Sequence, residues 1–151
     1  LTSGTPKIAA QDLTITTNAA NGYTVTASHA ANTQSGNPPL ISGTTNNIDA
    51  FTGTNASPAT WSAPGGTGAN TNTGFFGYST EDATLCTGTA ARFTSGGLKW
   101  AGSSTTGAEV ICSTTGMTSE TTRIGWETEM NNIQPGGSYT GTVILTATPT
   151  Y

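Results

Sequence analysis

Read two residues at a time, the end of the chain separates into two faces. In the stretch "PGGSYTGTVILTATPTY", Tyr139, Val143, Leu145 and Ala147 fall on one side. Thr140, Thr142, Thr146 and Thr148 fall on the other, interrupted by Ile144. Such alternation predicts a half-buried antiparallel strand with a core on one side and water or a polar partner on the other. A second alternating stretch lies near the start: Leu13 and Ile15 interleave with threonine, and Tyr23, Val25 and Ala27 interleave with Thr24, Thr26 and Ser28. Asn21-Gly22 between them suits positive φ and predicts a hairpin.

Further short apolar runs recur at Leu40–Ile41, Ile48–Phe51, "TGFFGYST", "ARFTS", "GLKWAG", "AEVICSTTGM" and "TRIGWETEM", each bounded by Gly, Ser or Thr. Almost no ten-residue window escapes Gly, Pro or a Thr/Ser/Asn cluster, so helix is disfavoured nearly everywhere. Eight or nine short strands without a 20- to 50-residue repeat predict an all-β antiparallel sandwich, immunoglobulin-like or pilin-like. The segment from Ala30 to Pro39 reads as a loop. Thr54 to Thr73, pierced by Trp61, is the longest irregular excursion, and excursions of that length often carry function or an interface.

Composition narrows the classes. The chain has 151 residues, enough for one domain, and only 8% are charged, against about a quarter in ordinary soluble domains. It keeps three Trp, four Phe and four Tyr, so it is expected to fold rather than remain disordered. Four Lys and Arg against eight Asp and Glu leave no basic footprint for nucleic acid. No apolar run approaches the length of a membrane span, and the opening Leu1-Thr2-Ser3-Gly4 suits a processed form. Cys86 and Cys112 read as a disulfide, with two buried thiols as the alternative; a bridge together with scarce charge points to a secreted, extracellular, cell-surface location.

Candidate chemistry is sparse. Glu127 and Glu129 in "GWETEM" share a strand face about 7 Å apart, the range of paired glycosidase carboxylates. Such pairs normally face each other from different strands, so an outward polar face is the simpler reading. Glu81, Asp82, Asp49, Asn70 and Asn72 could offer oxygen ligands to calcium, though without the spacing of a calcium loop, and solvated turns are expected. His29 stands alone, with no nucleophile motif around it. No enzyme, cofactor or metal site is therefore expected. Trp61, Phe75, Phe76, Tyr78 and Trp100 could build the core, a sugar platform or a subunit interface, and Phe75 and Phe76 must point to opposite faces of any strand.

"QPGGSYTGTVILTATPTY", Gln134 to Tyr151, resembles the closing strand of bacterial secreted immunoglobulin-like subunits, including spore-coat-U-type pilins. There a Pro-Gly turn leads into Tyr-Thr-x-Thr-Val and the chain stops on an aromatic. "LTITTNAANGYTVTAS" resembles the first hairpin of Thr-rich bacterial surface proteins. The resemblance implies an extracellular sandwich that polymerises by donor-strand exchange, with identical subunits as partners. Residues 1–12 would then form an N-terminal extension, with Leu1, Ile8 and Ala10 as assembly residues, and 13–151 the sandwich domain. The early cysteine usual in those pilins is absent. A structural subunit of a filament or surface layer is the expected function; the alternative is an adhesin or carbohydrate-binding module meeting a host or environmental glycan.

Overall fold

The computed structural model describes residues 1–116 and 119–151. It is all-β, with nine strands: β1 (Lys7–Ile15), β2 (Tyr23–His29), β3 (Leu40–Ser42), β4 (Asn46–Ala50), β5 (Gly74–Thr80), β6 (Ala101–Gly102), β7 (Ala108–Ser113), β8 (Glu120–Met130) and β9 (Val143–Pro149). One sheet runs β1-β8-β5-β4-β3, with β6 added beside β5, and the second runs β7-β2-β9. The two pack as a sandwich. A single bridge, Ile41 to Thr140, links the β3 edge to the segment that enters β9.

The alternation noticed in the sequence is used differently from the expected hairpin. β1 and β2 do not pair; β1 lies against β8, and β2 lies between β7 and β9. Each strand has one apolar face, and the two faces meet across the core, which buries more apolar surface than a side-by-side hairpin would. Leu13, Ile15, Tyr23, Val25 and Ala27 thus join one cluster with Tyr78, Leu85, Phe93, Val110, Ile111 and Ile124. Gly22, at φ 83°, sits where an added Cβ would meet the Ser113 carbonyl oxygen at 2.0 Å, so this turn requires glycine for space as well as for φ.

Two strand expectations are corrected. "ARFTS" is a series of turns in which Thr94 and Ser95 both donate to the Ala91 carbonyl. "GLKWAG" yields only the two-residue β6. Met117, which ends "AEVICSTTGM", lies outside the described residues. The sheet is also not purely antiparallel, because β4 runs parallel to β5 at Asp49–Phe75 and Ala50–Phe76.

Irregular chain is held by polar staples. Arg92, 5% exposed, donates from Nε to the Asn55 carbonyl, from Nη1 to the Thr87 and Thr89 carbonyls and from Nη2 to Asn55 Oδ1, with Glu109 at 4.0 Å. Asp82, expected on a solvated turn, is buried and accepts from the Cys112 and Thr84 amides. The Cys86–Cys112 disulfide joins this loop to β7 across a separation of 26 residues. Such a loop contributes roughly 3 kcal/mol by chain entropy.

Arg92→Met is expected to destabilise the protein by about 3–5 kcal/mol in urea unfolding, since it strands four acceptors and the buried Glu109 carboxylate. The Cys86→Ala/Cys112→Ala variant is expected to lose roughly 3 kcal/mol in the same measurement.

Candidate functional site

The feature that most sets this sandwich apart is how poorly its borders are covered. β1 is bonded along nine residues to β8 and has no strand on its other edge among the described residues, and seven of its nine residues are exposed. Only Leu13 and Ile15 are half-buried against the core. Lys7, Ala9 and Gln11 share their strand face and are exposed. β9 repeats the pattern on the other sheet: Leu145 reaches the core while Val143 and Ala147, on the same face, stay exposed. The half-buried closing strand expected from its alternation is therefore an edge strand anchored by one leucine, and Tyr139 lies outside it.

A cavity of about 420 Å³ is lined by Leu1, Leu40, Ile48, Met130 and Tyr139, and Thr128, whose buried hydroxyl has no hydrogen-bond partner, forms part of its wall. Gly4 donates to the Met130 carbonyl at 2.8 Å and Thr5 to the Thr2 carbonyl, so the first residues turn back and bring Leu1 to the cavity mouth, where it is 57% exposed. Of the expected assembly residues, Leu1 thus touches the core opening. Ile8 and Ala10 lie on the opposite face of β1, paired within their own sheet across from Glu127 and Gly125. The strand runs unbroken through the expected boundary after residue 12.

The expected interface aromatics are mostly interior. Phe75, Phe76 and Tyr78 are all less than 10% exposed, and Trp61 is half-buried. Phe76 stacks on Trp126 on the core face of β5 and β8, while Phe75 points to the outer face. There the excursion after β4 folds back, and Phe51, Trp61, Phe75 and Trp100 form a second cluster. Trp61 stacks on Phe51 at 4.5 Å and meets Trp100 edge-on at 5.8 Å. A sheet surface without side chains admits them: a Cβ on Gly77 would meet Trp61 Cζ3 at 3.1 Å, and one on Gly125 would meet Trp100 Cη2 at 3.4 Å.

This cluster explains the two glutamates. Glu127 and Glu129 do share a face of β8, but the face is covered, and they are 4% and 3% exposed rather than solvated. Glu129 Oε2 accepts from Trp61 Nε1 at 2.7 Å. Glu127, opposite Gly77, has no hydrogen-bond partner among the described residues. Burial first, and the neighbouring Glu129 carboxylate second, push its carboxyl up from the ordinary 4.5 to about 7. The two carboxyls stand on one strand and point to the same covered face, so they do not face each other across a cleft.

The remaining polar candidates are tied into structure. Asp49 accepts from Asn47 Nδ2 and the Asn72 amide, and Asn70 Oδ1 accepts from the Asn47 amide. No cluster of three His, Cys, Asp or Glu side chains that could hold a metal occurs among the described residues. None of the helices needed to cross a membrane is present among them either, which leaves strands unaddressed. Asn55, in the Asn-Ala-Ser triplet, spends its amide on Tyr78 and the Glu109 carbonyl. His29 is buried and paired with Ser103, a partner 74 residues away that spacing could not reveal. Comparison with family models, with curated proteins and with solved structures finds no match to this chain.

Glu127 is protonated more readily folded than unfolded, so its contribution to stability is fully present below about pH 4.5 and is lost as pH rises through 7. Urea midpoints are expected to fall between pH 5 and pH 8. Glu127→Gln should flatten that decline and stabilise the protein at pH 8 by roughly 2 kcal/mol; an unchanged slope in the variant would assign the decline to other groups.

Proposed function

We propose that this chain is a structural subunit of an extracellular filament or surface layer, and that subunits join by exchanging β1. The observation that carries the reading is the lopsided attachment of this strand: a full nine-residue ladder to β8, but only two half-buried side chains beneath it. Main-chain hydrogen bonds are indifferent to which copy supplies the strand. A neighbour's Lys7–Ile15 would satisfy β8 with the same register and the same Leu13 and Ile15 contacts, so exchange costs little in contact energy. The linker from Thr16 to Gly22 has the residues to change direction, and Leu1 would travel with the strand into the neighbour's open core.

Surface chemistry supports assembly as well. Open edges are ordinarily guarded by charge, and β1 carries Lys7 and Asp12, the latter paired with Arg123, while β9 has no charged residue. Val143 and Ile144 are 37% and 43% exposed on β9. The carbohydrate-binding alternative is weakened, because the aromatics that would form its platform stack on one another inside the molecule.

Thr14 and Thr121 face each other across β1 and β8, their hydroxyls 2.8 Å apart, which allows the strand to be locked. Native protein is expected to form regular fibres under negative-stain electron microscopy. A Thr14→Cys/Thr121→Cys variant oxidised as a monomer should form none, whereas mixed single variants should crosslink between chains. Fibres from the locked monomer would dispose of β1 exchange, and dispersed single domains from native protein at high concentration would dispose of the filament.

A further inference from the structure

A polar cleft lies at the end of β2, where His29 pairs with Val143 of β9. It has a volume of about 440 Å³ and is lined by the loop Ser35–Pro39, by Asp49 and Ala50 at the end of β4, and by Ser103–Thr105 after β6, with His29 closing the end of β2. Two of its side chains are almost wholly buried, His29 at 3% and Ser103 at 5% exposed. Ser103 Oγ lies 2.9 Å from His29 Nδ1, and His29 Nε2 lies 2.9 Å from the Asn37 carbonyl oxygen.

These two distances settle the direction of both hydrogen bonds in the neutral ring. A carbonyl oxygen can only accept, so Nε2 carries the proton and donates it to Asn37. Nδ1 is then unprotonated and can only accept, so the Ser103 hydroxyl donates to it. A hydroxyl held against an unprotonated ring nitrogen, with the ring oriented from behind by a third group, is the arrangement that activates a serine nucleophile. Here a main-chain carbonyl occupies the place that a carboxylate holds in the Ser-His-Asp arrangement.

The surroundings suit such a role. The backbone N–H groups of Gly36, Ser104 and Thr105, residues that line the cleft, have no acceptor among the described residues, which makes them candidates to meet a developing oxyanion. Asp49 in the wall disfavours anionic ligands, and hydroxyls and prolines supply the remaining lining.

We propose that Ser103 is an acyl-accepting nucleophile with His29 as its base, acting on small uncharged carboxylic esters. Ser103 Oγ attacks the ester carbonyl while its proton passes to His29 Nδ1. Collapse of the tetrahedral adduct breaks the acyl–oxygen bond, and the departing alcohol takes that proton from His29. Water, deprotonated by the same nitrogen, then attacks the Ser103 ester, and the proton returns to Ser103 as the carboxylic acid leaves. The activity belongs to the monomer and does not depend on the assembly proposed above.

The test uses the whole 151-residue chain and a biotinylated fluorophosphonate, in which a phosphorus–oxygen bond to serine forms and fluoride departs. One adduct is expected, mapping to Ser103 by peptide mass. Ser103→Ala should remove it, Ser62→Ala, at an exposed serine outside the cleft, should not, and p-nitrophenyl acetate hydrolysis should follow the same order. His29→Ala should lower the labelling rate by roughly 100-fold or more. Should that variant fail to fold, His29→Gln retains a side-chain amide but no basic nitrogen, and the same loss is expected with the unfolding midpoint within a few degrees of native. Absence of an adduct at Ser103, adducts scattered over other serines and threonines, or equal labelling in a folded His29→Gln variant would overturn the proposal.

Discussion

One strand carries load on both of its faces, and the architecture depends on it. β8 turns Thr122, Ile124 and Trp126 toward the main core, and Glu127 and Glu129 toward the tryptophans on the other side. Eleven residues long, it is also the strand to which both β1 and β5 are bonded. In a two-sheet sandwich the outer face of a strand normally meets water. Here the excursion between β4 and β5 supplies a third layer over that face, and glycines at 77 and 125 let indole rings rest directly on the sheet. The two acids beneath are the cost of this cover: one is satisfied by an indole N–H, and burial raises the pKa of the other.

What could be read in advance follows from where the interactions are local. Strand alternation is a two-residue property, so β2, β5, β7 and β8 stand close to where their periodicity placed them, and the disulfide followed from there being two cysteines. Pairing is a property of distant segments. Leu13-Thr-Ile15 and Tyr23-Thr-Val25 look alike whether they lie side by side or face to face, and the choice was made by β8 and β7, whose patterns fit them equally well. Glu127 and Glu129 looked solvated because nothing local announced that Trp61, more than sixty positions earlier, would cover them. Phe93 was read as part of a strand from its flanking residues, yet Arg92 beside it recruits the Thr87 and Thr89 carbonyls and bends the segment into turns.

The proposed surfaces divide along the same line. Poorly guarded edges could be anticipated from a lack of charge, and the structure gives them positions: β1 beside β8, β9 beside β2, and a cavity whose mouth holds Leu1. The His29–Ser103 pair left no trace in the sequence, because the residues that join it come from β2, the loop before β3 and the turn after β6. A protein with so many serines hides a particular one well; a short hydrogen bond to a ring whose other nitrogen is committed distinguishes it.

The placement of the four basic residues has one more consequence. Arg92 is sunk among carbonyls, Arg123 is clasped by Asp12 on a paired strand, Lys7 lies in the ladder of β1, and Lys99 is half-buried with its amide bonded to Phe93. Digestive proteases that cut after lysine or arginine need several residues of free, extended chain on either side of the bond. This molecule offers them almost none while folded, so its persistence in a protease-rich environment would be set by how often it opens rather than by how many cleavage sites it contains.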